Sequence, residues 1–486
     1  MPAIITSKFR IHNSEQFSES FSEASGNVYY LGIGRPQPFT TAVRADTRTD
    51  NEGTDTTPLT PVDNNNSQFN PYDDMLAVKR ITHAEVAFCI PRRNWITGTV
   101  YDDYRHDYGD YKTGTTIVQA ANSGATNLND ATYYVLSAAR NVYKCLDNNS
   151  NAQSTVEPTG TSTTILATAD GYKWKFMYTL SASQQANFLS TDFMAVETDS
   201  TVSSAAVDGA INMVKIKTPG SGGGDGTYAD IDIRGDGLSG KCTVTVSGGA
   251  VTAVSVTTPG TAYTFATVSN AQIVAKGAGG LAGAELDVMM EPKGGHGFNA
   301  VEELGGFFVM MNVSLEGTES SNSGDVTAAN DFRRVMLIRD PLDNASAAAT
   351  SVTMRATKGV NLTGISGSFV VDEKITQAST GAVGKVVEWD SGNSILYYIQ
   401  TRHNDEGVDS NGNQTAFSGT NVITGAGGAT GTPTTSSSTI NNVVFVSGYS
   451  ASEIQHDSGD VLYIENRAPI IRAADQTENI KLIIEF

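Results

Sequence analysis

Two stretches of this chain repeat themselves at short range, and each repeated unit is a strand running into a glycine turn. Val214-Lys-Ile-Lys-Thr-Pro-Gly-Ser-Gly recurs as Val254-Ser-Val-Thr-Thr-Pro-Gly-Thr-Ala. In both copies proline sets the first φ of the turn and glycine accepts the positive φ that follows. Between them the segment from Cys242 onward predicts a hairpin about Gly248-Gly249. Farther on, Phe369, Ile375-Thr376 and Gly381-Ala-Val-Gly384 are echoed by Phe417, Ile423-Thr424 and Gly428-Ala-Thr-Gly431. Two copies are too few for a solenoid, whose units must stack in a longer series. The pair therefore predicts a small β-barrel or sandwich.

The rest of the chain points the same way. Helical windows rich in Glu, Lys and Leu are scarce, while Thr, Val and Tyr, which suit a pleated and half-buried surface, dominate many segments. With 486 residues the chain exceeds what one core serves. The expected fold is mainly β and multidomain: a discontinuous, β-sandwich-like core with two small Gly-rich β insertion domains and few short helices. The boundaries read as core over 1–100, a second β domain over 101–211, the first insertion over 212–292, core again over 293–357, the second insertion over 358–440, and the C-terminal part of the core over 441–486. Phe17 and Phe21, four apart among polar residues, predict an amphipathic helix over 13–25. Residues 40–74 are polar and predict a long surface loop. Tyr172, Trp174, Phe176 and Tyr178 alternate with Lys173 and Lys175, the period of a strand with one apolar face.

Charge excludes some functions. With 52 acidic against 32 basic residues, the net charge of −20 opposes binding to nucleic acid, which needs a basic face, and to an anionic membrane. No window approaches the apolar length of a membrane span. The first residues lack the apolar stretch of a signal peptide, so synthesis in a cytoplasm and a soluble product are expected. Cys89, Cys145 and Cys242 form neither a disulfide framework nor a thiolate metal site.

Candidate chemistry is thin. Tyr101–Tyr111 gathers Asp102, Asp103, Asp107 and Asp110 with Arg105 and His106, and reads either as a metal or acid–base cluster or, preferably, as a solvated loop that contacts another protein. Asp230-Ile-Asp-Ile-Arg-Gly-Asp-Gly starts like a calcium loop but puts Arg234 where a ligand belongs; Asp405-Glu-Gly-Val-Asp is a second weak candidate, better read as a hairpin loop. Gly220-Ser-Gly-Gly-Gly-Asp-Gly lacks the Lys-Ser/Thr of a phosphate loop, and the six histidines are scattered. No enzyme, metal or cofactor is expected. Arg92, Arg93 and Trp95 follow an apolar strand and form either an interface anchor or a brace within their own fold. Near the end, Glu465, Arg467, Arg472 and Asp475 are interleaved with Ile464, Pro469, Ile470 and Ile471, a mixture suited to an interface, before an apolar strand that must be pinned.

Several segments in order resemble the baseplate wedge subunit called gene product eight in T4-like contractile-tailed bacteriophages. They are Ile5-Thr-Ser-Lys-Phe-Arg10, Ile90-Pro-Arg-Arg-Asn-Trp95, Tyr143-Lys-Cys-Leu-Asp147, Asp170-Gly-Tyr-Lys-Trp, Asp331-Phe-Arg-Arg-Val-Met-Leu-Ile-Arg-Asp-Pro-Leu342 and Glu465-Asn-Arg-Ala-Pro-Ile-Ile-Arg-Ala-Ala-Asp-Gln-Thr-Glu. The resemblance covers roughly 1–200, 300–345 and 445–486, and omits the Gly-rich modules. It implies a non-enzymatic virion protein of the tail baseplate, without cofactor, homodimeric within each wedge of a six-fold baseplate, and in contact with other wedge proteins. Such a subunit would transmit the change that triggers tail contraction. Interface residues expected on this reading are Arg92, Arg93, Trp95, Tyr101, Tyr104, Tyr108, Arg467 and Arg472. The alternative is a carbohydrate-binding or depolymerase tail protein acting on host surface glycans, for which Gly/Asn/Thr-rich β repeats are suited.

Overall fold

The computed structural model describes residues 4–23, 26–39, 53–113, 116–117, 119–318, 325–327, 330–401, 407–472 and 476–486. The protein is mainly β. Among the described residues the helices are few and short, the longest being Ser7–Glu19, and none is long and apolar enough to cross a membrane. The chain divides into two compact units: Met1–Phe17, Ala87–Met310 and Ile483–Phe486 form one, and Ser18–Val86 with Met311–Leu482 the other.

The first unit is organised by a four-stranded sheet in the order Leu166–Ala167, Lys173–Thr179, Asn141–Asp147, Tyr134–Leu136. The alternation seen in the sequence is realised: Tyr172, Trp174, Phe176 and Tyr178 are all buried. Tyr101, Tyr143, Cys145, Trp174 and Phe176 share one apolar cluster. Residues 211–290 build a smaller β body in the same unit. Its hairpin Lys241–Ser247/Ala250–Thr258 turns through Gly248 and Gly249 at φ +64° and +80°, the pair of left-handed positions that a two-residue turn demands. The two repeated segments are both strands but have different partners: Ile211–Ser221 pairs with Ala282–Met290, whereas Ala250–Thr258 pairs with Lys241–Ser247.

The second unit contains a five-stranded sheet ordered Thr353–Arg355, Met75–Ile81, Tyr29–Gly34, Phe332–Arg339, Asp460–Ile470. It also contains the second duplication, now a small barrel. Lys358–Ser366, Ile395–Ile399, Ala382–Asp390, Lys374–Gln377, Ile423–Gly425 and Thr430–Pro433 pair in succession, and the last pairs back to the first. The repeat shows in the register. Thr376 lies opposite Thr424, its own counterpart, so a pseudo-twofold axis passes between them. Both members of each apolar pair, Phe369 with Phe417 and Ile375 with Ile423, enter the barrel core.

Two local expectations are corrected. The helix expected over 13–25 runs instead over Ser7–Glu19 and stops short of Phe21. The Thr6 hydroxyl accepts the Phe9 N–H at 3.3 Å and starts the helix early, and Ile11, Ser14 and Ser18 form its buried face. Phe17 meets Phe486 at 5.3 Å between ring centroids, while Phe21 stacks on Tyr29 outside the helix. The second correction concerns 40–74, of which 40–52 lie outside the described residues. The remainder is not a plain loop: Gly53–Thr54 pairs with Thr57–Pro58, a helix spans Asn65–Phe69, and Pro71 helps set a 3-10 turn that buries Tyr72. The Tyr72 hydroxyl donates to the Ser458 carbonyl at 2.5 Å.

The terminal strand is pinned as expected. Thr477–Glu485 pairs with Phe308–Thr318, Leu482 is buried, and the Phe486 N–H donates to the Phe307 carbonyl at 3.1 Å.

Candidate functional site

Strand pairing in the first unit sets Lys144 directly opposite Lys175. Like charges at paired positions repel. The repulsion is answered by one carboxylate that bridges both: Glu291 accepts Lys144 Nζ at 2.8 Å and Lys175 Nζ at 2.5 Å. Glu291 leaves the strand Ala282–Met290, its N–H donating to the Ala210 carbonyl.

A second carboxylate arrives on the helix Ala300–Leu304, which Asn299 caps by accepting the Glu302 N–H and Gly305 ends at φ +75°. This turn aims Glu303 at Lys144 Nζ, 2.5 Å away. The other Glu303 oxygen accepts the Gly297 N–H at 2.6 Å. His296 joins through Nδ1, 3.2 Å from Glu303, while its Nε2 lies 2.8 Å from the Phe176 carbonyl. Lys144 is 0% exposed and sits over the Tyr104 ring, 4.1 Å from its centroid.

Burial alone would raise the Glu303 carboxyl, yet Lys144 and then His296 outweigh it and hold it well below the ordinary glutamate range. Glu291 is lowered too, burial being overcome by Lys144 and Lys175. Lys144 is raised, because Glu291 and Glu303 outweigh the desolvation that would lower it.

Glu291, His296 and Glu303 place possible metal-ligating atoms within 4.8 Å of one another. Lys144 nevertheless holds the position a cation would take, bonded to both carboxylates, and His296 Nε2 is committed to backbone. The arrangement suits an internal clamp that fastens residues 291–304 to the sheet. It is closed to solvent, and removing one partner from such a buried set costs about 3–5 kcal/mol.

The residues expected at interfaces separate into three groups. Tyr101 and Tyr104 are buried, which corrects the expectation of a solvated Tyr101–Tyr111 loop. The cause lies in the loop's own bonding. Tyr101 packs edge-on to Trp174, and Asp102 accepts the N–H and hydroxyl of both Ser123 and Thr132. Arg105 binds Asp107 and Asp287, and Tyr108 donates to the Asp103 carbonyl at 2.7 Å. Arg472 is likewise internal, with both Glu478 oxygens at 2.7 and 2.9 Å.

Arg92, Arg93 and Trp95 are half-buried and braced. Arg92 donates to the Ser190 carbonyl, Arg93 to the Ala131 carbonyl and over the Tyr134 ring, and Trp95 Nε1 to Ser154 Oγ. Arg467 is half-buried, and its side chain makes no hydrogen bond or ion pair among the described residues.

Of the weak calcium candidates, Asp236 is spent on the Thr264 and Phe265 amides. Asp409 is spent on the Asn411 and Asn413 amides. Asp405, Glu406 and Asp475 lie outside the described residues. The charge clamp was not foreseen from sequence. Its one local signal is a lysine inside the buried run Asn141-Val-Tyr-Lys-Cys-Leu146, where a charge requires a partner.

Among known families, the model of Phage-Gp8 (Bacteriophage T4, Gp8) matches residues 3–155 and 410–486. The chain belongs to this family. It is thus a structural subunit of a bacteriophage baseplate, located in the virion tail, and family membership implies contacts with other baseplate proteins. No curated protein matches the chain. The matched residues include every expected interface position and Lys144, while Lys175, Glu291, His296 and Glu303 fall outside them. So do two of the resembling segments, Asp170–Trp174 and Asp331–Leu342, and the whole of the first Gly-rich insertion.

Proposed function

We propose that this Phage-Gp8 family member works as a wedge subunit that assembles by protein–protein packing and passes on the conformational change that triggers tail contraction. The observation that carries the reading is the family match at both ends of the chain. The course of the backbone supports the mechanical part. It passes from one compact unit to the other after Phe17, Val86, Met310 and Leu482.

In this reading the subunit is a homodimer in each of six wedges, assembled in the host cytoplasm. Arg92, Arg93, Trp95 and Arg467 supply contacts to neighbours, since Arg and Trp at half-buried positions are favourable anchors. Co-expression with the other wedge proteins, followed by light scattering on the purified complex, tests this. A complex holding two copies per wedge is expected. A monomer that fails to join any wedge protein would overturn the reading.

A further inference from the structure

A cavity of about 390 Å3 in the second unit lies where the barrel meets residues of the five-stranded sheet's loops, and its walls mix polar side chains with apolar surface that includes Ala451 and Ile454. Asp73 and Asn344 line it from the sheet side, Lys358 and Gln414 from the barrel side, and Gln455 with Asp457 from the connection between them.

These walls are built rather than incidental. Gln414 donates to Asp73 at 3.0 Å and accepts from Lys358 Nζ at 3.4 Å; Lys358 also donates to Gln400 Oε1 at 3.0 Å. Lys358 thus rests on neutral amide oxygens and has no carboxylate at ion-pair distance among the described residues. Among the described residues Gln455 Oε1 is buried without a hydrogen-bond partner, a condition that native structures rarely leave unanswered. The Asn344 side-chain amide at the rim makes no hydrogen bond among the described residues.

We propose that this cavity binds a neutral saccharide. Charge selects against the alternatives. A cation meets Lys358, and an anion meets Asp73 and Asp457. A ligand with hydroxyls at several positions avoids both penalties, because each hydroxyl donates and accepts. It can give a proton to Gln455 Oε1, accept from Lys358, and take both ends of the Asn344 amide. The volume falls at the small end of the range for sites that hold compact ligands, which fits a mono- or disaccharide.

Saturation-transfer NMR on the full chain tests the assignment. The probes are glucose, galactose, mannose, N-acetylglucosamine and their homodisaccharides, with glucuronic acid and glucosamine as charged comparators. At least one neutral sugar is expected to bind more tightly than either comparator. Asn344→Ala and Gln455→Met should each weaken it roughly five- to tenfold, the size of one lost neutral hydrogen bond. Thermal unfolding of each variant checks that the fold persists, and exposed Asn344 provides the substitution least able to disturb it. The proposal fails if no neutral sugar binds, if a charged comparator binds best, or if binding ignores the substitution in a folded variant.

Discussion

The charge clamp of the first unit and the barrel of the second solve the same problem with opposite chemistry. The clamp fastens residues 291–304, through Glu291, His296 and Glu303, to Lys144 and Lys175 of the sheet, more than a hundred residues earlier in the chain. The barrel closes around paired apolar residues, Ile375 with Ile423 and Phe369 with Phe417, related by a pseudo-twofold axis. Apolar packing tolerates exchange among similar shapes. A buried ion set does not, because each member is stable only while its partners stay in place. The clamp therefore fixes position, and the barrel supplies a body built from two related halves.

The most severe way to break this comparison is to damage both regions' connections at once. Removing Lys481–Phe486 takes away buried Leu482 from one unit, and Ile483 and the Phe486–Phe307 bond from the other. Loss of folded protein is expected, read as protease sensitivity and a collapsed near-ultraviolet signal.

Next in size, Lys144→Met should destabilise by about 3–5 kcal/mol in denaturant unfolding, since it leaves two buried carboxylates facing each other. Adding Glu303→Gln should recover much of that loss, because Glu291 keeps Lys175. Equal losses in the single and double variants would show that the clamp is not an ionic set.

Ile375→Ala and Ile423→Ala each remove a fully buried side chain from the barrel, and each should cost about 2–5 kcal/mol. Their losses should match each other closely. A large difference would show that the pseudo-symmetry is geometric but not energetic.

The smallest effect is a pH dependence of opposite sign in the two regions. Glu388 in the barrel is pushed up to about 7 by burial and then by Asp390. Its folded form binds a proton more readily than the unfolded chain, so stability rises as pH falls through about 7 toward the ordinary glutamate value of 4.5. Glu291 and Glu303 are depressed, so their contribution is present above 4.5 and drains away as pH falls below it. A melting curve should therefore gain slightly between pH 8 and 5, then fall. Glu388→Gln should remove the gain and leave the fall.

The same contrast explains what the sequence made legible. The barrel was readable because duplication places its paired residues at fixed spacing, and in the first unit Gly248-Gly249 announced a hairpin through local turn chemistry. The terminal strand was readable from Ile480, Leu482 and Ile483 in one apolar run. The clamp was not readable, for Lys144 and Glu303 stand 159 residues apart and no local rule joins them. Tyr101 and Tyr104 were misplaced for a related reason. Tyr/Asp-rich composition suggests solvent, but Asp102 finds its four donors in Ser123 and Thr132, which lets the loop turn inward. Arg472 was similarly claimed by Glu478, six residues on.

A cryo-electron map of the intact tail tests the central claim, that this Phage-Gp8 family member is a load-transmitting subunit of the baseplate. The expected result is density for both compact units in each wedge, with Arg92, Arg93, Trp95 or Arg467 covered by a neighbouring protein. Density for the chain in a fibre or spike and none in the baseplate would contradict it.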